Sequence, residues 1–254
     1  MKIQPLSAIF LAGLLQLTTL PAFAIDAGDD FSSGTVDTNK WGADVTFGNG
    51  VLTQTGGVLQ FTVVKGTSYD EVLRPWVLSQ FPTTNNWEAR ITVLNSIAFP
   101  KKSQGASFGI YVRNWTDPYD NISAELYSSS YGSLPTHTGF YSALFENNKF
   151  LWYTNIDGGG VTNAALRVVF NSATKVVSLY YDLTPETDGP WSLFASWGVA
   201  GTGGSQHVDW QMSDTDRFSL EVYGYSAKAT VGTGVMQGDD FETTAGVGYE
   251  IPPT

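Results

Sequence analysis

The tetrapeptide Gly-Asp-Asp-Phe occurs twice in this chain, once near each end. The first copy, residues 28–31, lies in AIDAGDDFSSGTVDTNKW (24–41), and the second, residues 238–241, lies in GVMQGDDFETT (234–244). No other repeat accompanies it, so a duplicated domain is a poor explanation. We expect instead that the two ends of the chain lie side by side in one β-sheet.

The segments between the two copies have the pattern of β-strands. Apolar and polar residues alternate with a period of two, and Gly, Asn, Asp, Ser or Pro residues bound each run. The content of 27 Gly, 8 Trp, 12 Tyr and 15 Phe fits strands joined by tight turns. The predicted strands cover 58–64, 71–78, 87–97, 106–115, 122–129, 138–146, 149–155, 165–172, 175–183, 192–198, 217–227 and 235–243. This pattern predicts an all-β fold, a two-sheet antiparallel sandwich of the jelly-roll type.

The first 24 residues have the features of a secretory signal peptide. Lys2 gives a positive start, an apolar stretch follows, and Ala22-Phe23-Ala24 supplies a small-x-small cleavage pattern. The apolar stretch is too short to span a membrane as a helix. We therefore expect a protein that leaves the cytoplasm, to the periplasm or the extracellular space. The remainder predicts one β-sandwich domain at 25–245 and a loose tail at 246–254.

The composition limits the partners that this chain could have. A formal charge of −11 disfavours nucleic acid and anionic lipid, and it suits a neutral or a cationic ligand. The absence of cysteine and the presence of only His137 and His207 argue against a zinc or iron site. Nothing after residue 24 resembles a membrane segment, and no feature of the sequence indicates an oligomeric state.

The two ends carry a resemblance to a known superfamily. The stretch DDFSSGTVDTNKW (29–41) resembles the opening of concanavalin A-like jelly rolls of the laminarinase and laminin-G-like kind, which begin with an acidic pair and Phe, followed by Gly, Asp and Trp. Asp240-Phe241 is similar to the end of their last strand. The resemblance implies a concanavalin A-like sandwich in which the first and last strands are neighbours. It also implies a structural Ca²⁺ ion with Asp30 and Asp240 as ligands.

A charge argument supports a cation at this place. If Phe31 and Phe241 both point into the core, alternation turns Asp30 and Asp240 outward on one face. Like charges directly opposite each other destabilise a sheet, and a hard cation with oxygen ligands would offset that repulsion. The alternative is that both aspartates are simply solvated at an edge.

The sequence lacks the catalytic motif of the laminarinase branch. That branch carries Glu-x-Asp-x-(x)-Glu on one strand, which places two carboxylates about 5–5.5 Å apart for retaining chemistry. The strand that could hold the motif, NISAELYSS (121–129), offers Glu125 alone. The sequence therefore assigns no catalytic residue and favours a protein without enzymatic activity.

Two neighbouring strands indicate a sugar-binding platform. Alternation puts three side chains of the predicted strand 106–115 on the outer, concave face of the sheet. Two side chains of the strand 122–129 lie beside them on that face, and one residue of the strand 149–155 extends the row. These six candidates are Tyr111, Arg113, Trp115, Glu125, Tyr127 and Trp152. Exposed aromatic rings stack on the C–H faces of sugars, and we expect Arg113 to face Glu125 across the hairpin. Half-buried aromatic residues and a cross-strand ion pair are also ordinary sheet-stabilising devices, so both interpretations stay open.

The function that these observations favour is lectin-like recognition of a polysaccharide or glycan by a secreted β-sandwich. Two alternatives remain from the sequence. One is a polysaccharide-active hydrolase or lyase with unrecognised catalytic residues, and the other is an extracellular structural or adhesive module.

Overall fold

The computed structural model describes residues 25–78, 80–99, 101–131, 137–187 and 189–245. The predicted signal peptide and the predicted tail lie outside these residues. The described residues form one short 3-10 helix, Pro185–Thr187, and strands β1 Ile25–Asp29, β2 Val45–Phe47, β3 Gly50–Thr55, β4 Val58–Val63, β5 Asp70–Pro75, β6 Phe81–Pro82, β7 Trp87–Asn95, β8 Gly105–Asn114, β9 Asn121–Ser129, β10 His137–Glu146, β11 Lys149–Asp157, β12 Asn163–Asn171, β13 Val176–Asp182, β14 Ser192–Gly198, β15 Gln206–His207, β16 Arg217–Ala227 and β17 Met236–Ala245.

The strands form two sheets, as the alternating pattern predicts. One sheet has the order β15-β14-β13-β12-β7-β17-β4-β3, with β1 also paired to β17. The other has the order β11-β10-β9-β8-β16-β5-β2, with β6 also paired to β16. The parallel pair of β14 and β15 departs from the otherwise antiparallel pairing of the described strands. The fold is therefore the expected two-sheet jelly-roll sandwich.

Every one of the twelve predicted strands is a strand of the structure, with bounds that differ by a few residues at most. The sequence missed β1, β2, β3, β6 and β15. Three of these have only two or three residues, too few for a period to show. In β3 the buried position Gln54 is polar, and a polar residue there hides the alternation.

The core lies between the inner faces of the two sheets. In β7 every second side chain is buried, and β7 and β17 contact β8 of the opposite sheet. Gly238 allows this close approach, because a Cβ atom at that position would lie 2.5 Å from the Phe108 ring. No helix of the described residues is long and apolar enough to cross a membrane.

The two copies of Gly-Asp-Asp-Phe lie next to each other, as expected. Strand β1 pairs antiparallel with β17, with Asp29 opposite Phe241. Phe31 and Phe241 are fully buried. Both rings contact Trp41, with centroid distances of 5.8 and 5.0 Å. The repeated tetrapeptide therefore marks two neighbouring segments, the end of β1 and strand β17, which bring Phe31 and Phe241 to one aromatic cluster.

The first aspartate of the N-terminal copy holds this cluster together. The Asp29 carboxylate accepts a 2.8 Å hydrogen bond from the Phe31 backbone N–H and a 2.7 Å bond from Trp41 Nε1. Asp29 is only 7% exposed, so neither donor has water as a ready substitute. Asp30, next in the sequence, is exposed and accepts a hydrogen bond from the Ser32 N–H of its local turn.

We therefore expect Asp29→Ala to lower the free energy of unfolding by on the order of 3 kcal/mol, because two buried donors lose their acceptor. Asp29→Asn should fall between Asp29→Ala and the wild type, since one carbonyl oxygen remains. The measurement is urea-induced unfolding, and the matched control is Asp30→Ala, which should change stability by no more than about 0.5 kcal/mol. Equal effects of Asp29→Ala and Asp30→Ala would contradict this role for Asp29.

Candidate functional site

A cleft of about 740 Å³ lies on the outer face of the eight-stranded sheet. Its lining comes from β5, β8, β9, β10, β11 and β16, together with the residues just before β5 and just after β9. Eight of the chain's 12 tyrosines line it. We call it the tyrosine cleft, and its tyrosines are Tyr69, Tyr111, Tyr127, Tyr131, Tyr141, Tyr153, Tyr223 and Tyr225.

The floor of the cleft depends on a glycine in β8. Gly109 lies opposite Glu125 of β9 on one side and opposite Tyr223 of β16 on the other. A Cβ atom at Gly109 would lie 1.9 Å from the Ala124 carbonyl oxygen. The absence of a side chain at Gly109 therefore lets the backbones of β8 and β9 approach closely at the position where Glu125 lies.

Glu125 is a buried carboxylate held by hydroxyl groups. It is 7% exposed and accepts hydrogen bonds from the side chains of Ser123, Tyr223 and Ser107. Burial raises the pKa of Glu125, and these hydrogen bonds oppose the rise because they favour the charged form. The nearby negative charge of Glu71 raises the Glu125 pKa further.

Glu71 lies at the other side of the cleft, on β5. Tyr69 Oη donates a 2.8 Å hydrogen bond to Glu71 Oε2, and the Tyr111 hydroxyl donates another. Burial raises the Glu71 pKa, and the Arg113 guanidinium acts in the opposite direction. Two carboxylates with raised pKa values therefore share one tyrosine-lined space.

Arg113 does not pair with Glu125, contrary to the sequence-based expectation. In the β8–β9 hairpin Arg113 lies opposite Asn121, whereas Glu125 lies opposite Gly109. The Arg113 Nε atom lies 3.0 Å from Glu221 Oε2 of β16. The expectation was wrong because β16, distant in sequence, is the other neighbour of β8. The guanidinium also lies 5.3 Å from the Tyr111 ring centroid.

The tyrosine rings of the cleft contact one another in separate groups. The Tyr111 and Tyr223 rings are 4.2 Å apart, Tyr127 and Tyr141 are 6.1 Å apart, and Tyr141 and Tyr153 stack at 6.0 Å. Burial raises the pKa of Tyr225 to about 12. It also raises the pKa of five other cleft tyrosines, which are Tyr69, Tyr111, Tyr127, Tyr141 and Tyr223. These hydroxyls are therefore neutral near pH 7 and can donate hydrogen bonds.

The structure separates the six platform candidates into two groups. Tyr111, Glu125 and Tyr127 line the cleft, and Arg113 lies beside it through its contact with Tyr111. Trp115 and Trp152 do not line it. Strand β8 ends at Asn114, and Trp115 beyond it packs on Arg217 at 4.2 Å. Trp152 lies opposite the core residue Leu144, so its neighbour Tyr153 takes the outer face.

Much of the cleft was not found from the sequence. Glu71 and the tyrosines beside β5 and on β10, β11 and β16 were missed, because their strands become neighbours of β8 and β9 only through the sheet order. A signal was present, since a tyrosine and a second polar or aromatic residue lie two positions apart and therefore share one outward face. It is visible in Tyr69-x-Glu71, Tyr223-x-Tyr225 and Tyr153-x-Asn155.

The predicted metal ligands Asp30 and Asp240 lie together at a second, smaller depression. Both are exposed, and Lys40 lines the same depression and donates a 2.7 Å hydrogen bond to the Gly28 carbonyl oxygen. The described residues contain no group of three or more Asp, Glu, His or Cys side chains that could hold a metal ion. Ca²⁺ takes six to eight oxygen ligands, so these residues do not fit a calcium site closely, and an ammonium group is already present.

Comparison with known proteins identifies the fold and no family. No family model matches the sequence, and no curated protein matches it significantly. Among solved structures, xyloglucan PUL GH43B of Bacteroides ovatus is similar with a TM-score of 0.52 and 14% identity over 85% of this chain, but over only 38% of that one. A protein of unknown function from Shewanella oneidensis MR-1 is similar with a TM-score of 0.51 and 16% identity, over 96% of this chain and 97% of that one.

A lectin is also among the similar structures. Lectin II from Ulex europaeus has a TM-score of 0.49 and 11% identity, over 82% of this chain and 97% of that one. Identities at this level show the fold alone. The chain has the concanavalin A-like fold that its two ends indicated. What it does must be argued from its own cleft.

The burial of Glu125 predicts a pH dependence of stability. Its pKa is raised in the folded protein above the ordinary value of 4.5, so between these two values the folded state binds more protons than the unfolded state. The protonated Glu125 side chain therefore contributes to stability at pH values below its pKa in the unfolded chain. This contribution is lost as pH rises through the pKa that Glu125 has in the folded protein. Glu125→Gln removes this titration, so the loss of unfolding free energy from about pH 5 to about pH 8 should be smaller than in the wild type.

The measurement is urea unfolding of both proteins at the two pH values. Glu186→Gln, an exposed change on the 3-10 helix, is the control and should retain the wild-type pH dependence. An unchanged pH dependence in Glu125→Gln would show that Glu125 is not buried as described.

Proposed function

We propose that this chain is a secreted, non-catalytic carbohydrate-binding protein whose ligand lies in the tyrosine cleft. The observation that carries the proposal is the gathering of eight tyrosines from distant parts of the chain around one open space. Secretion rests on the signal-peptide features of residues 1–24, and the protein works as one sandwich domain, residues 25–245. The ligand is a polysaccharide or glycan.

The chemistry of the cleft suits sugars. Tyrosine offers an apolar ring for the C–H face of a sugar and a hydroxyl group for hydrogen bonding to its oxygens. A volume of about 740 Å³ lies in the range of small-molecule sites, so a short stretch of a glycan can enter. The cleft is built on strands of a packed sheet, which fixes the rings before the ligand arrives and lowers the entropic cost of binding.

Adjacent residues of β11 provide a matched test. Tyr153 lines the cleft and Trp152 does not, although both side chains are about half exposed. We expect Tyr153→Ala to weaken binding to a glycan found on an array about tenfold, because one stacking surface is lost. Trp152→Ala and Trp115→Ala should leave the affinity unchanged. Isothermal titration calorimetry on folded variants measures both effects.

A reversed result, with binding lost in Trp152→Ala or Trp115→Ala and retained in Tyr153→Ala, would move the site to the platform expected from the sequence. Absence of binding to any glycan would instead favour an extracellular structural or adhesive module.

One observation favours a second candidate, a glycoside hydrolase. Glu71 and Glu125 line the same cleft, the charge of Glu71 acts on the pKa of Glu125, and paired carboxylates are what glycoside hydrolysis uses. A carboxylic acid kept protonated by burial can donate a proton to the leaving oxygen, while a second carboxylate acts as nucleophile or base. Release of reducing ends from bound glycans, abolished in Glu125→Gln, would replace the non-catalytic proposal with this one.

Calcium at the terminal repeat stays a separate prediction, carried by Asp30 and Asp240. If the ion binds there, a chelator lowers the melting temperature, and Asp240→Ala abolishes the chelator's effect because a ligand is gone. Differential scanning calorimetry with and without EDTA measures this.

Lys40 provides the control for the calcium prediction. If its ammonium group is the cation that offsets the aspartates, EDTA has no effect and Lys40→Met lowers the melting temperature by itself. A chelator effect that persists in Asp240→Ala would place any bound calcium elsewhere.

A further inference from the structure

The tyrosine cleft is lined by two acidic side chains, those of Glu71 and Glu125. Glu71, Glu125 and Glu221 lie in one electrostatically connected region, and Arg113 is the cation that acts on Glu71 and Glu221. The Arg113 Nε atom lies 3.0 Å from Glu221 Oε2, so this one guanidinium group is shared between Glu221 and Glu71. Among the cleft-lining residues that the structure describes, none is Lys, Arg or His.

Glu125 shows the imbalance most clearly. The hydroxyl groups of Ser123, Tyr223 and Ser107 lower its pKa, and the charged group that acts on it, Glu71, is itself negative. Hydroxyl groups can donate hydrogen bonds to a carboxylate, but they supply no positive charge. The need that remains is a positive charge, because a buried carboxylate without one is costly.

The surrounding rings would favour the same kind of ligand. The face of a tyrosine ring is negative and attracts a cation placed over it, and the chain already shows such a contact between Arg113 and Tyr111 at 5.3 Å. Tyr141 and Tyr225 adjoin Glu125 closely enough for its charge to act on both hydroxyls, so rings and carboxylate border one space. The formal charge of −11 over the whole chain adds a field that attracts cations and repels acidic glycans.

We propose that the glycan bound in the tyrosine cleft carries protonated amino groups, as a glucosamine polymer does, with an ammonium group placed between the tyrosine rings and the carboxylates of Glu71 and Glu125. This inference rests on the proposed carbohydrate function and names its ligand class. It distinguishes the cleft from one for neutral sugars, which would gain nothing from uncompensated carboxylates, and from one for acidic sugars, which they would repel.

The test compares two ligands that differ only at the nitrogen. The tetrasaccharide of β-1,4-linked glucosamine is titrated against its fully N-acetylated form at about pH 6, below the usual range of amine pKa values. We expect the amino form to bind at least about tenfold more tightly. Its affinity should fall as salt is raised, because added ions screen the attraction between charges, while that of the acetylated form should not. An acidic uronate oligosaccharide should not bind.

Two variants test whether Glu71 and Glu125 cause the preference for the amino form over the acetylated form. Glu125→Gln and Glu71→Gln should each bring the ratio of the two affinities towards one, whereas the exposed Glu186→Gln should retain the wild-type ratio. Circular dichroism verifies the fold of each variant. If a variant does not fold, the ligand pair and the salt series on the wild-type protein still decide the inference.

The outcomes separate the inference from the function on which it rests. Equal or tighter binding of the acetylated form, or binding of the uronate, would overturn the amino-sugar inference and leave carbohydrate recognition standing. No binding of any of the three ligands, together with a silent glycan array, would overturn both.

Discussion

The pleat of the eight-stranded sheet is the constraint on which the cleft depends. Successive side chains of a strand point to opposite faces, so each strand of this sheet supplies one set of residues to the core and the other set to the cleft. In β8 the buried Phe108, Ile110 and Val112 fix the register, and Tyr111 and Arg113 then face outward. A slip of one residue would exchange the two sets. Packing of the core therefore positions the tyrosines.

In the other, nine-stranded sheet, the two copies of Gly-Asp-Asp-Phe join the ends of the described chain. Strand β17 pairs with β7 on one side and with β4 and β1 on the other, so it lies inside the sheet and not at its edge. The register of β17 shifts between Asp239 and Glu242, where the strand bulges against β7. Asp240 has a positive φ of 49° at this bulge, and Phe241 enters the core beside it. Hydrogen bonds of the Asp29 carboxylate hold the matching residues of the first copy.

The cleft and the terminal depression are both acidic, yet they balance their charge differently. At the depression Lys40 lies among exposed carboxylates that water also screens. In the cleft burial removes that screening, and hydroxyl groups act on Glu71 and Glu125, with the Arg113 guanidinium as the cation that also acts on Glu71. Hydroxyl groups satisfy hydrogen bonds without supplying charge. This difference is why a ligand with a positive charge has more to gain in the cleft than at the chain ends.

The all-β class and twelve of the strands could be predicted from the amino-acid sequence, because they follow from local alternation. The adjacency of the two ends was predicted from the repeated tetrapeptide and from the resemblance of both ends to concanavalin A-like jelly rolls. The same alternation placed Tyr111, Glu125 and Tyr127 on one outward face, since a short loop forces β8 and β9 to pair. The partner of Arg113 and the contribution of Glu71 emerged only from the tertiary structure. Both depend on β16 lying between β8 and β5, an order that long-range packing of the two sheets sets and that no period along the chain reveals.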